Sequence, residues 1–277
     1  MQTLALGYSP CPNDTFIFYA LVHGRVDCSF GSIIERLEDV ETLNRLALAK
    51  TLDISKVSYH LLGHIRDEYC LLRSGGALGR GCGPLLVARE PVALEDLAGR
   101  PVAIPGRYTT AALLLRLAAP WLDTLVEMPF HEIMGKVARG EVAAGAIIHE
   151  SRFTYADYGL VRLMDLGAWW EEETGQPIPL GGIVARRSLG KHTISAIDAA
   201  LKASVAYGFA HRSEAHGYIR SHSQEMSAKV CDAHIDLYVN NFSLDLGSAG
   251  ETAVTTLLSR GEAIGLFPHS PLPLFIS

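Results

Sequence analysis

Residues 146–151, Ala-Ile-Ile-His-Glu-Ser, end an apolar run with three side chains that can exchange protons or hydrogen bonds. Ala146, Ile147 and Ile148 have the character of a buried strand, which puts His149 at a strand's carboxyl end. Sites of open α/β sheets collect there, and an imidazole so placed can act as a general base near neutral pH. The same residue can equally be a structural hydrogen-bonder that closes a loop. His149 taken alone supports either role, and Glu150 and Ser151 are read as supports for its loop.

Other residues offer weaker chemistry. Cys11 lies between Pro10 and Pro12 just ahead of a helix, a place that can lower a thiol pKa and make it a nucleophile with His149 as its base. The simpler reading is a small buried residue shaped by two prolines. His60 and His64 are four apart on an expected helix, so they can share a face. "HLLGH" lacks the glutamate of HExxH and no third ligand is evident, so no metal site is expected. The glycine-rich stretch "SGGALGRGCGP" (74–84) matches neither a Walker A loop nor GxGxxG; its glycines suit a tight reversal or close approach to a ligand. No GxSxG elbow is present, which argues against a serine hydrolase.

The elements that must position these residues alternate. A strand is expected over 3–9, then a helix through "TFIFYALVHG" capped by Asn13 or Asp14 and ended by Gly24. A helix over 38–50, a strand over 52–58 and a helix over 59–69 follow, and then two strands, "YCLLRSG" and "GPLLVARE". Further on come a strand over 100–106, a helix over 109–120 capped by Thr109 or Thr110, the strand "LVEMPF", a helix over 131–141 and the strand that ends at His149. "GGIVARRS" (181–188) is read as a returning strand, and Ile194, Ile197, Leu201, Val205 and Phe209 form an amphipathic helical stripe. Alternation of this kind implies an α/β protein with mostly parallel sheets. The expected organisation is a larger discontinuous lobe, 1–88 with 184–277, and a smaller lobe, 89–183, with a ligand cleft between them. The helix starts after 9–14 and 106–110 would each offer N–H groups to an anion.

Composition narrows the partners. Of 277 residues, 48% are hydrophobic and 19% charged, as in a well-packed globular chain. Lys and Arg total 24 against 30 Asp and Glu, a net charge of −6 that gives no footing for nucleic acid. No run approaches the ~18 apolar residues of a membrane span, and the start has no signal-peptide pattern. The five cysteines are scattered without a CxxC pair, so reduced thiols and a cytoplasmic location are expected.

Several segments taken together, "GYSPCPNDTFIFYALVHG", "LEDVETLNRLAL", "SGGALGRGCGPLLVAR", "VAIPGRYTTA", "IIHESRFTYADYGL" and "DLGAWWEEETGQPIPLGGIVARR", resemble the 1,4-dihydroxy-6-naphthoate synthases of the futalosine route to menaquinone. The resemblance runs in order through nearly the whole chain, by motif in the first two thirds and by helical character in the last. It implies a two-lobed fold like type 2 periplasmic binding proteins, a small anionic substrate (cyclic dehypoxanthine futalosine), no cofactor and a histidine general base, here His149. By the same resemblance the substrate contacts fall on Lys56, Val57, Ser58, Thr109 and Thr110, with Asp14 and Asn44 in matching motifs beside them. The departure "SKVSYHLLGH" leaves His60 and His64 peripheral. A solute-binding protein of the same fold would need the cleft but no base. The chorismate dehydratase of the same pathway shares the fold, but "HESRFTY" and "GAWW" favour the synthase.

Overall fold

The computed structural model describes residues 2–223 and 227–276. The chain starts with β1 (Thr3–Tyr8) and turns at Pro10 into α1 (Pro12–Val22), whose proline at the first helical position lacks only an N–H that has no intrahelical partner there. Then come β2 (Ser32–Leu37), α2 (Val40–Leu48), β3 (Ile54–Ser58), α3 (Tyr59–Ile65), β4 (Tyr69–Leu71) and β5 (Ala77–Gly79). A second run holds β6 (Leu85–Ala88), β7 (Val102–Ile104), α4 (Thr110–Ala118), β8 (Leu125–Glu127), α5 (Phe130–Arg139), β9 (Ala144–Ile147), α6 (Ser151–Thr154), β10 (Val161–Asp165) and α7 (Leu166–Thr174). The chain returns along β11 (Ile178–Arg186) and ends in α8 (Lys191–Ala210), α9 (Arg212–His222), α10 (Ala228–Tyr238), α11 (Asn241–Leu244) and α12 (Gly247–Ala263).

These elements form two compact units, residues 1–79 with 179–277 and residues 80–178. Among the described residues the first unit has a six-stranded sheet, ordered β2-β1-β3-β11-β4 with β5 also on β11, and the second a five-stranded sheet, ordered β10-β6-β9-β7-β8. Both crossings lie earlier than the 88/89 and 183/184 read from the sequence. The reason is strand pairing: β6 is bonded between β9 and β10, so Leu85–Ala88 is part of the second sheet, and β11 pairs with β3 from Gly181 on, so 181–183 is part of the first.

Each sheet has a parallel heart of three strands, β2-β1-β3 in the first unit and β9-β7-β8 in the second. Antiparallel pairs flank it: β11 runs against β3 and β4, and β6 against β9 and β10. The sheets are therefore mixed rather than mostly parallel. The strands that lead into the second unit and back from it run opposite to the βα units they flank.

In the first unit α1 is buried at every position from Pro12 to Leu21; from Phe16 on it is apolar on all sides, and its buried polar residues Asn13, Asp14 and Thr15 are hydrogen-bonded. It lies against α8, α9 and α10, and Phe16, Ile17 and Phe18 join Leu4, Leu6, Ile197, Leu201 and Val205 in one core. Each fully buried side chain of this size stabilises the fold by about 1.5–3 kcal/mol. The α8 stripe is buried from Ile194 to Val205, but Phe209 at its end is 45% exposed. The second core is smaller and gathers Leu85, Val87, Ala103, Ile133, Val137, Ile147 and Leu160 around β6, β7, β9 and α5.

Two local details differ from expectation. The residue before the first turn of α1 is Cys11, whose carbonyl accepts from Asp14 N and Thr15 N, so neither Asn13 nor Asp14 caps the helix. Strand β2 has no counterpart in the sequence reading. Among the described residues it is an edge strand that pairs with β1 alone, and Ile34 at its centre is 65% exposed, so it lacks the apolar pattern that marks buried strands.

Candidate active site

In the first unit the parallel strands β1 and β3 bring the loop after Tyr8 beside the end of β3. Lys56 and Ser58 lie on one face of β3, and Val57, fully buried, points to the other, as the two-residue strand period requires. Val57 can therefore meet a ligand on the Lys56 face only through its backbone. Lys56 is 5% exposed and its Nζ donates to Asp14 Oδ1 at 2.9 Å; Asp14 itself is 1% exposed. The same Asp14 oxygen accepts from Asn13 Nδ2 at 2.8 Å, while Oδ2 accepts from Ser9 N at 3.1 Å and Ser9 Oγ at 2.7 Å. Four donors on two oxygens fix the carboxylate in place. A buried charge needs this, because an uncompensated one costs several kcal/mol.

Gly181 on β11 makes room for the pair. A Cβ there would stand 3.2 Å from Lys56 Cε and 2.9 Å from Val57 O, so any side chain would push against the lysine stem and the neighbouring strand. Asn44 on α2 forms a second clasp: its Oδ1 accepts from Ser58 N at 2.9 Å and its Nδ2 donates to Ser58 Oγ at 3.1 Å and to Glu41 Oε2 at 3.3 Å. Thus Asp14 with Lys56, and Asn44 with Ser58, are brought together as two linked pairs on β3. Tyr59 follows directly; burial pushes its phenol far up, so it stays a neutral hydroxyl.

In the second unit β7, β8 and β9 run parallel, so the segments after them emerge at one end of the sheet. After β7, Thr109 caps α4, its Oγ1 accepting from Ala112 N at 3.3 Å and donating to Gly106 O at 2.8 Å; Thr110 begins the helix. After β8 comes Phe130, and after β9 comes His149, whose ring centroids lie 5.3 Å apart at 60°. His149 is half-buried and adopts φ +55°, the left-handed region that disfavours residues with a Cβ. Such a conformation costs about 1–2 kcal/mol; apart from glycines, among the described residues Lys50, exposed in the turn after α2, shares it. His149 O accepts from Arg152 N, which opens α6.

Arg152 ties this loop to the sheet. Its Nη1 donates to Gly83 O at 2.6 Å and its Nη2 to Asp165 Oδ2 at 2.8 Å, while Asp165 Oδ1 caps α7 by accepting from Gly167 N and Ala168 N. Gly83 is where the glycine-rich stretch is needed, for a Cβ there would lie 2.3 Å from the backbone of Gly167. Close approach is thus made to another backbone. Burial pushes the neighbouring Cys82 thiol up to about 12 despite the pull of Arg152, which makes it a poor nucleophile.

The side chains of the other candidates fall outside these clusters. Cys11, half-buried at the start of α1, meets the Asp14 cluster only through its backbone, its N–H donating to Ser9 Oγ at 3.4 Å and its carbonyl accepting from Asp14 N. His60 and His64 pack with Phe267, their rings 6.0 and 5.4 Å from it, and burial lowers the pKa of His64. Among the described residues no group of three or more His, Cys, Asp or Glu is placed to hold a metal ion, and no helix is long and apolar enough to cross a membrane. Residue-level reading missed Ser9, Asn13, Phe130, Arg152 and Gly181 as site supports. Ser9, Asn13, Arg152 and Gly181 stand inside the quoted motifs, which was the available signal; Phe130 needed the strand neighbours.

Known proteins agree with this architecture. The fold matches a Candida albicans protein described as having the generic periplasmic binding protein fold, with TM-score 0.67 at 16% identity over 96% of this chain and 92% of that one. A crystal structure from Archaeoglobus fulgidus matches at TM-score 0.89 and 36% identity, over 96% of this chain and 98% of that one. The fold class is therefore that of the periplasmic binding proteins. A family model for menaquinone biosynthesis matches residues 4–263. Proteins named 1,4-dihydroxy-6-naphthoate synthase are 57% identical in Thermus thermophilus, over all of both chains, and 48% identical in Streptomyces coelicolor, over 96% of this chain and 95% of that one. The chain belongs to this synthase family of menaquinone biosynthesis, a family of enzymes.

Proposed function

We propose that the chain is a carbon–carbon lyase that converts cyclic dehypoxanthine futalosine to 1,4-dihydroxy-6-naphthoate, with His149 as general base. The observation that carries this reading is His149 itself. It is half-buried at the carboxyl end of β9, beside an aromatic ring, in a backbone conformation that costs energy and is anchored through Arg152. Strain of this kind concentrates where function requires it.

The first unit supplies an electrostatic counterpart. A lysine ammonium carries three N–H donors and one of them goes to Asp14, which leaves the group able to meet an anionic substrate group. Asp14, with two donors on each oxygen, serves to hold Lys56 rather than to take the substrate's proton. Ser58 and Asn44, and in the second unit Thr109 and Thr110 at the start of α4, add hydrogen-bonding groups; Val57 adds its backbone. Proton removal by His149 starts the elimination; the electron pair it frees enters the new aromatic ring, the carbon–carbon bond to the sugar-derived remnant breaks, and the remnant leaves with the bonding pair, taking up a proton, as the second product. We place this reaction in the cytoplasm, a reading supported by five cysteines that are all free thiols.

The test is to incubate the purified chain with cyclic dehypoxanthine futalosine and follow the naphthoate by absorbance and mass. Product at enzymatic rates is the expected result. No product above the uncatalysed background would remove the lyase reading.

A further inference from the structure

Asn13 has two ends, and both are used. Its Nδ2 donates to Asp14 Oδ1, and its Oδ1 faces His234 Nε2 at 2.9 Å, across 221 positions of chain. An amide that donates to a carboxylate through nitrogen presents its oxygen on the other side, so His234 must hold a proton on Nε2 and donate it. His234 lies on α10, which packs against α1, and it is 0% exposed, with its ring 4.6 Å from that of Tyr238 one turn later. Its neighbour Ile235 belongs to the core, and an apolar side chain at 234 would fill the same place without burying a polar ring. Packing by itself does not call for a histidine here. The bond to Asn13 does.

We propose that His234 is a positioning residue for substrate binding, acting through a buried relay in which His234 donates to Asn13, Asn13 donates to Asp14, and Asp14 holds Lys56. The proposal rests on the reading of Lys56 as the group that meets the substrate's anion. Without the Nε2 donor, the Asn13 oxygen loses its buried partner, the amide shifts to find another donor, and the hydrogen bond it gives to Asp14 Oδ1 is weakened. Asp14 then rotates, and the ammonium it orients moves with it. The relay ties the C-terminal helix α10 to the polar cluster that α1 and β3 form in the first unit.

The test measures kcat and KM of the full chain on cyclic dehypoxanthine futalosine for His234→Leu, His234→Gln, Lys56→Gln and the double variant His234→Leu/Lys56→Gln. His234→Leu is expected to raise KM about three- to tenfold, the scale of one lost hydrogen bond, with kcat nearly unchanged. His234→Gln, whose amide nitrogen can stand where Nε2 stood, returns KM toward the wild-type value. In the Lys56→Gln background His234→Leu adds no further rise. If His234→Leu does not fold, His234→Asn, an amide too short to reach Asn13, takes its place. A KM that rises in Lys56→Gln but not in His234→Leu overturns the relay alone. Equal KM in the Leu and Gln variants, with only thermal stability lowered, makes His234 a packing residue and also overturns it. An unchanged KM in Lys56→Gln removes the reading of Lys56, and a wild-type chain without turnover removes the proposed function; either takes the relay with it.

Discussion

At the end of β3 in the first unit, the two oxygens of Asp14 each accept two hydrogen bonds, Lys56 is nearly inaccessible, and Asn44 clasps Ser58 through backbone and side chain. At the end of β9 in the second unit, His149 is half-buried, sits at φ +55°, and is carried on a loop anchored one turn away by Arg152. The first arrangement is saturated with hydrogen bonds; the second carries a backbone dihedral that a residue with a Cβ adopts at a cost. A group that orients an anion needs a fixed position, and a saturated network provides it. A base needs its nitrogen presented to a substrate, and a left-handed backbone at a strand end re-aims the side chain at a cost the anchor must cover. The two regions should therefore fail differently when broken.

The largest effect is expected at His149. His149→Gly should lower kcat by at least about 10²-fold, the scale of a positioned general base. Its thermal stability should hold or rise, because glycine adopts φ +55° without steric cost. Steady-state rates and a melting curve on one preparation read both, and near-normal kcat would take the base away from His149. Asp14→Ala should do the reverse and cost stability first. It leaves a buried ammonium without its partner, a loss of about 3 kcal/mol by urea unfolding near pH 7. A loss below about 1 kcal/mol would equate the pair with an ordinary surface ion pair and erase the contrast. Arg152→Gln is the mildest. Releasing the anchor should lower kcat about tenfold through misplacement of the loop, with KM kept and stability down by about 1 kcal/mol. A change in KM with kcat intact would put Arg152 on the substrate instead of on the loop.

The parts of this molecule that could be read in advance are those whose signal is local. Strand β9 with His149 at its tip, α4 with its threonine cap, and the Ile194–Val205 stripe each follow from residues within a few turns of one another. Strand β2 was invisible because an exposed edge strand has no buried face to leave a pattern. The antiparallel course of β6 and β11 was equally hidden, since strand direction depends on what the strand pairs with and not on its own residues. The glycines of 74–84 announced a close approach, but the backbone that Gly83 meets, at Gly167, lies in a distant helix.

The chain by itself determined the βα alternation, the candidate base, the polar residues of the "SPCPND" and "SKVS" segments and, through its motifs, the family. These are carried by short-range periodicity and residue type. Only the tertiary structure decided that Asp14 holds Lys56, that Val57 turns away, that His149 bends through the left-handed region, and that His234 reaches Asn13. Each of these is a contact or a dihedral set by strand pairing and helix packing across long stretches of chain, which no local spacing of residues encodes.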